Sequence, residues 1–207
     1  KTTRFDAGYF ARAETTKDDR AAARYVDLLR RHAPDGGRVL DVGCGTGAVL
    51  EKLAAEPKWE CEGVDVSEEA VRKAAAFATA TRADAEDLPF EAGEFDALLL
   101  LDVLEHTDSP RHVLQETRRV TRDGSVLIAS TPNAGSPLRI VLGSRWHGLA
   151  DETHVYFFTR FTLEQLLRAS GWSPIAHRTF SSAPWGLGTA FERTRIGSEL
   201  CVIGRAT

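Results

Sequence analysis

The run Val39-Leu40-Asp41-Val42-Gly43-Cys44-Gly45-Thr46-Gly47 constrains this chain more than any other segment. An apolar burst from Arg38 to Val42 runs straight into alternating glycines, and Ala48 to Ala55 then continues at helical spacing. Strand, glycine turn and helix in that order open a βαβ unit. The glycines let the backbone turn tightly and approach a ligand with no Cβ in the way. Downstream the alternation repeats. Glu60 to Val66 reads as a second strand, and Ser67-Glu68-Glu69-Ala70 as a capped helix start with acidic residues where the dipole favours them. That helix is expected to reach about Phe77, followed by a weak strand at Thr79 to Arg82. Phe95 to Leu101 is apolar enough for a strand buried on both faces. Pro110 to Val120 reads as a helix stopped by Asp123-Gly124, and Ser125 to Thr131 as the next strand. The pattern predicts an α/β fold, a doubly wound and mostly parallel sheet with helices on both faces.

The flanks are less regular. Arg20 to His32 has helical spacing and is broken by Pro34-Asp35-Gly36-Gly37. Asn133 to Thr159 reads as an inserted loop region beside the carboxyl edge of the sheet, where substrate contacts often sit. Leu163 to Ala169 is expected to be a helix, with Trp172 to Phe180 and Glu199 to Arg205 as the final strands. With 207 residues, 43% of them hydrophobic, the chain suits one domain. Its parts would be a helical lid segment over 1–33, a cofactor core over 38–131, a substrate-side insertion over 132–162 and closing helix and strands over 163–207. A net charge of −4 argues against a nucleic-acid partner. Cys44, Cys61 and Cys201 are far apart and form no zinc or CxxC spacing, which predicts a reducing, cytoplasmic setting. The longest apolar run, Ala97 to Leu101, is too short to span a bilayer, and no charged-then-apolar signal segment opens the chain.

The glycine turn alone leaves three readings open. It fits a bare strand–helix turn, and Gly43-x-Gly45-x-x-Ala48 also fits the relaxed dinucleotide fingerprint of an NAD-dependent oxidoreductase. Asp65 falls about 20 residues further on, where a carboxylate accepts ribose hydroxyls, and this supports a nucleoside ligand of either kind. The choice comes from three further segments: Asp41, Ala83 to Phe90 after the third strand, and Leu101 to His106 closing the fourth. The Asp41 carboxylate would repel a pyrophosphate and welcome a cationic ammonium group.

Five ordered blocks, VLDVGCGTG, GVDVS, ADAEDLPF, FDALLLLDVLEH and RRVTRDGSVLIASTPN, resemble class I S-adenosylmethionine-dependent methyltransferases from about Arg38 to Asn133. The resemblance implies a Rossmann-like seven-stranded sheet whose last strand is antiparallel. It implies that Asp41, Gly43 and Gly45 line the methionine part of the cofactor and that Asp65 holds the ribose. Asp84 and the Ala85 backbone would face the adenine, with Asp102 at the mouth. Cys44 would be a small wall residue of this pocket, and Val66 would lie beside Asp65 on its rim. Within the class, LDVLEH and STPN are similar to the ubiquinone-biosynthesis O-methyltransferases and related bacterial small-molecule enzymes. That similarity implies O-methylation of a small acceptor, with N-methylation of a small molecule or 2′-O-methylation of an RNA 3′ end the alternatives.

A further likeness concerns His154, which precedes Val155-Tyr156-Phe157-Phe158-Thr159-Arg160 downstream of TPN. It resembles the small-RNA 3′-end 2′-O-methyltransferases, where two Glu and two His bind a divalent metal. The matching positions here are Asp102, Glu105, His106 and His154, with Asp in place of the first Glu. A mixed carboxylate and imidazole set suits a hard or borderline cation. Without a metal, His106 or His154 would serve as general base, and Glu105 and His106 would otherwise cap the next helix and line the pocket. Tyr9, Phe10, Trp146, Trp185 and the Phe157-Phe158 pair are expected to wall an apolar acceptor pocket or, for Phe157 and Phe158 especially, to pack in the core or the lid.

Overall fold

A computed structural model of the chain describes residues 19–180 and 197–207. The elements are α1 (Asp19–His32), β1 (Gly37–Val42), α2 (Ala48–Ala54), β2 (Trp59–Asp65), α3 (Glu68–Ala74), β3 (Thr79–Arg82) and β4 (Phe95–Leu101). A 3₁₀ turn (Leu104–His106), α4 (Pro110–Val120) and β5 (Thr121–Pro132) follow. The rest is α5 (Leu138–Leu142), a 3₁₀ turn (Gly143–Arg145), α6 (His147–Ala150), α7 (Arg160–Arg168), β6 (Trp172–Phe180) and β7 (Glu199–Ala206). The seven strands form one sheet in the order β3-β2-β1-β4-β5-β7-β6. β1 to β5 pair in parallel, and β7 runs antiparallel between β5 and β6.

The pleat divides the core between the two faces of this sheet. Leu40, Val42, Leu98, Leu100, Leu127 and Ala129 point to one side, against Val113, Leu114, Leu163 and Leu167 of α4 and α7. Val39, Ala97, Leu99, Val126 and Ile128 point to the other, against Val26 and Leu29 of α1 and Val49 and Leu53 of α2. A strand buried on both faces cannot alternate apolar with polar, which is why β4 reads as a nearly unbroken apolar run.

From β1 the chain winds outward through β2 and β3, then returns to the other side of β1 at β4. The order therefore reverses between β1 and β4. Open α/β sheets bind ligands outside the carboxyl ends of their strands at such a reversal.

Several expected boundaries move. α3 ends at Ala74 and only turns continue to Phe77. β5 begins directly after α4, and Asp123-Gly124 lies inside it, where the β4 register shifts and Gly124 takes φ 79°. The glycine there makes a bulge instead of ending an element. α7 starts three residues early because Thr159 and Thr162 form a reciprocal capping box. The insertion is not all loop, since it winds α5, a 3₁₀ turn and α6. Among the described residues no helix is long and apolar enough to cross a membrane.

Candidate active site

Four segments converge at the carboxyl ends of β1, β2, β4 and β5. The first is the glycine turn. Gly43, Gly45 and Gly47 all take positive φ (76°, 53° and 87°), a region that side chains with a Cβ rarely enter. The Gly43 and Cys44 N–H groups donate to the Val64 carbonyl at 2.8 and 3.0 Å, folding the turn back over β2. A Cβ on Gly43 would sit 2.4 Å from Cγ2 of Val103. Gly43→Ala is therefore expected to lower thermal stability, by roughly 1–3 kcal/mol for the strained backbone. Differential scanning fluorimetry checks this.

Asp65 holds the turn from the side. Its Oδ2 accepts the Gly45 N–H at 3.0 Å and its Oδ1 accepts the Ser67 N–H at 2.8 Å. One carboxylate thus ties the glycine turn to the start of α3, where Ser67 caps the helix by accepting the Ala70 N–H. Burial raises the Asp65 pKa, and the bonds from Ser67 and Gly45 oppose that rise. Each oxygen retains accepting capacity for a ribose hydroxyl. Asp41 is 3% exposed. Burial, reinforced by the charge of Asp65, pushes its pKa up to about 7. A buried carboxylate so poised favours a cationic partner. Burial also pushes the Cys44 thiol up, which disfavours its thiolate.

The remaining positions expected at the cofactor follow β2, β3 and β4. Asp84 closes a turn after β3, its Oδ1 accepting the Glu86 N–H at 3.0 Å and its carbonyl the Asp87 N–H at 3.0 Å. Ala85 packs on the core beside it, and the Val66 carbonyl accepts Nε of Arg82 at 3.1 Å. Asp102 ends β4 with φ 52°, an unusual value for a residue other than glycine. Its N–H donates to the Ser130 carbonyl at 3.1 Å, and its Oδ1 accepts the Ser130 hydroxyl at 3.2 Å. Strain of this kind concentrates at functional sites.

Beyond Asp102 lies a second cluster. Glu105 is fully buried, and neither carboxylate oxygen makes a hydrogen bond among the described residues. Burial, then the charge of Asp102, holds its pKa well above the usual range. The Glu105 carbonyl accepts the Val155 N–H at 2.8 Å, which pins the insertion beneath the 3₁₀ turn. That contact brings His154 to His106, with ring centroids 4.6 Å apart. Glu105, His106 and His154 each offer one ligand atom within 4.8 Å of the others. Asp102 does not belong to this group. Its carboxylate accepts the Ser130 hydroxyl.

Trp146 is fully buried and Phe158 lies in the core, whereas Phe157 is exposed. Phe158 thus packs in the core, and the exposed Phe157 lies with its ring centroid 6.3 Å from that of Trp146. Tyr9, Phe10 and Trp185 lie outside the described residues. Sequence reasoning missed Ser130, Asp151 and Thr153. The first is hidden inside an apolar strand. Asp151-x-Thr153 directly precedes His154, and that spacing was the available signal.

A glycine turn at the reversal of a doubly wound sheet, a carboxylate closing β2 and an aspartate of left-handed backbone directly after β4 belong to a Rossmann-like fold. Residues 14–177 match the family model described as a methyltransferase domain, and the chain belongs to that family. It is 31% identical over 173 residues to a ubiquinone biosynthesis O-methyltransferase of Roseobacter denitrificans, covering 76% of this chain and 68% of that protein. It is 30% identical over 124 residues to norajmaline N-methyltransferase of Rauvolfia serpentina, covering 52% and 42%. Among solved structures, magnesium protoporphyrin IX methyltransferase from Synechocystis, with bound S-adenosylhomocysteine, superposes with TM-score 0.74 at 18% identity over 99% of this chain and 97% of that one. The protein is a methyltransferase that uses S-adenosylmethionine.

Proposed function

We propose that this enzyme moves the methyl group to a hydroxyl oxygen of a small molecule, with the His106–His154 pair receiving the acceptor proton. The observation that carries this reading is the paired imidazoles beside the mouth residue Asp102. The sulfonium supplies the electrophilic methyl, so the protein's part is alignment and proton removal. An amine acceptor sheds its proton readily after attack, whereas a hydroxyl gains more from a base at the moment of attack. The relative from Roseobacter, named for O-methylation, supports the same choice.

In this reading Asp41, Gly43, Cys44 and Gly45 surround the methionine moiety. Asp65 and Val66 lie at the ribose, Asp84 and Ala85 at the adenine, and Asp102 between cofactor and acceptor.

A divalent cation also fits the cluster, because the orphaned carboxylate of Glu105 lacks a partner that a cation would supply. Glu105, His106 and His154 would hold it, and it would lower the pKa of an acceptor hydroxyl. Labelled methyl transfer to a panel of phenols, catechols, sugars and amines, with and without chelator, tests the reading. Transfer to hydroxyl acceptors, lost on chelation and restored by Mg²⁺ or Zn²⁺, is expected for the metal form. Transfer confined to amines overturns O-methylation.

The position of Asp41 predicts a pH dependence. Its folded-state pKa of about 7 lies above the ordinary carboxylate value. The folded state therefore binds the extra proton, and its stability without ligand falls as pH rises from the ordinary carboxylate range through about 7. A cofactor ammonium reverses the preference, because it needs the ionised form. S-adenosylhomocysteine binding is thus expected to tighten as pH rises through about 7 and to flatten in Asp41→Asn, as measured by titration calorimetry across pH.

A further inference from the structure

We infer that Thr153 and Asp151 are positioning residues that lock the His106 ring in its Nδ1–H tautomer, leaving the lone pair on Nε2. The inference rests on the proposed role of His106 for its catalytic meaning and on hydrogen-bond geometry alone for its substance. Thr153 Oγ1 lies 2.6 Å from Asp151 Oδ1 and 2.8 Å from His106 Nδ1. A hydroxyl has one proton to give. An ionised carboxylate only accepts, so a contact of 2.6 Å without a proton between the oxygens would set lone pair against lone pair. The Thr153 proton therefore goes to Asp151, and Nδ1 of His106 must donate to Oγ1. The Thr153 N–H also donates to Asp151 Oδ1 at 2.9 Å, which holds the carboxylate in place.

The second ring reaches the same state by another route. His154 Nδ1 lies 2.9 Å from the Gly148 carbonyl, which can only accept, so this ring too carries its proton on Nδ1. Two histidines 4.6 Å apart thus share one tautomer, each fixed by a separate acceptor. In the transfer step the acceptor proton moves to an Nε2 lone pair while the acceptor oxygen bonds to the methyl carbon. The sulfur–methyl bond breaks with its electron pair returning to sulfur. A ring in the opposite tautomer has no lone pair there to receive the proton.

The test is long-range proton–nitrogen NMR of protein labelled with ¹⁵N-histidine, together with steady-state kinetics. The wild type is expected to show His106 and His154 both protonated at Nδ1. In Thr153→Val, His106 is expected to shift toward the Nε2–H form. In that variant kcat should fall roughly tenfold or more, with KM for the cofactor unaltered, and Thr153→Ser should restore both signals. His106 protonated at Nε2 in the wild type, or unmoved in Thr153→Val, overturns the lock. A lock that holds in the wild type and breaks in the variant with kcat unchanged upholds the positioning role and removes His106 from the chemistry, so the two failures are distinguishable.

Discussion

Asp65→Ala is expected to weaken S-adenosylhomocysteine binding by at least about 100-fold while leaving the protein folded. The carboxylate does two jobs. It accepts the N–H groups of Gly45 and Ser67, and it lies where the proposed ribose hydroxyls would be held. Hydrogen bonds to a charged group contribute roughly 1.5–3 kcal/mol each, and 1.4 kcal/mol is a factor of ten in affinity. Losing the ribose contacts and the fixed turn together therefore reaches two decades or more. Titration calorimetry gives the affinity, and a melting curve shows whether the fold survives. Full affinity in a folded variant would remove Asp65 from the cofactor site.

His154→Ala is expected to act on the other side of the reaction. Its ring is 8% exposed, donates to the Gly148 carbonyl and lies against His106. None of these contacts reaches the glycine turn. Turnover should fall by about 10²–10⁴-fold, the usual span for a lost general base, and cofactor affinity should hold. The kinetics and the same calorimetric titration read the two halves separately. An unchanged kcat would take this histidine out of the mechanism.

The two halves of the site differ in how legible they were. The cofactor half is built from short-range signals. Gly43, Gly45 and Gly47 mark positive φ, Asp65 ends an apolar strand, and Ser67 with Glu68 and Glu69 marks a helix start. Each is local, so the sequence order carries it. Strand β4 was legible for the same reason, because burial on both faces leaves a nearly unbroken apolar run.

The acceptor half depends on contacts between distant segments. His106 and His154 are 48 positions apart, and what joins them is a backbone bond from Val155 to the Glu105 carbonyl. No periodicity announces such a bond. A likeness of motif grouped the two histidines with Asp102 and Glu105. Asp102 itself takes a left-handed backbone and accepts the Ser130 hydroxyl. Asp123-Gly124 misled as well. The pair has the composition of a turn, yet pairing with β4 at Thr121 and again from Val126 absorbs it as a bulge within β5.

The central claim is that the turn after β1 cradles a sulfonium nucleoside. Titration of the purified protein with S-adenosylhomocysteine, set beside NADH, tests it most directly. Saturable binding of the demethylated cofactor with one site per chain, and none of NADH, is the predicted result. Binding of NADH alone, or of neither ligand, would contradict it.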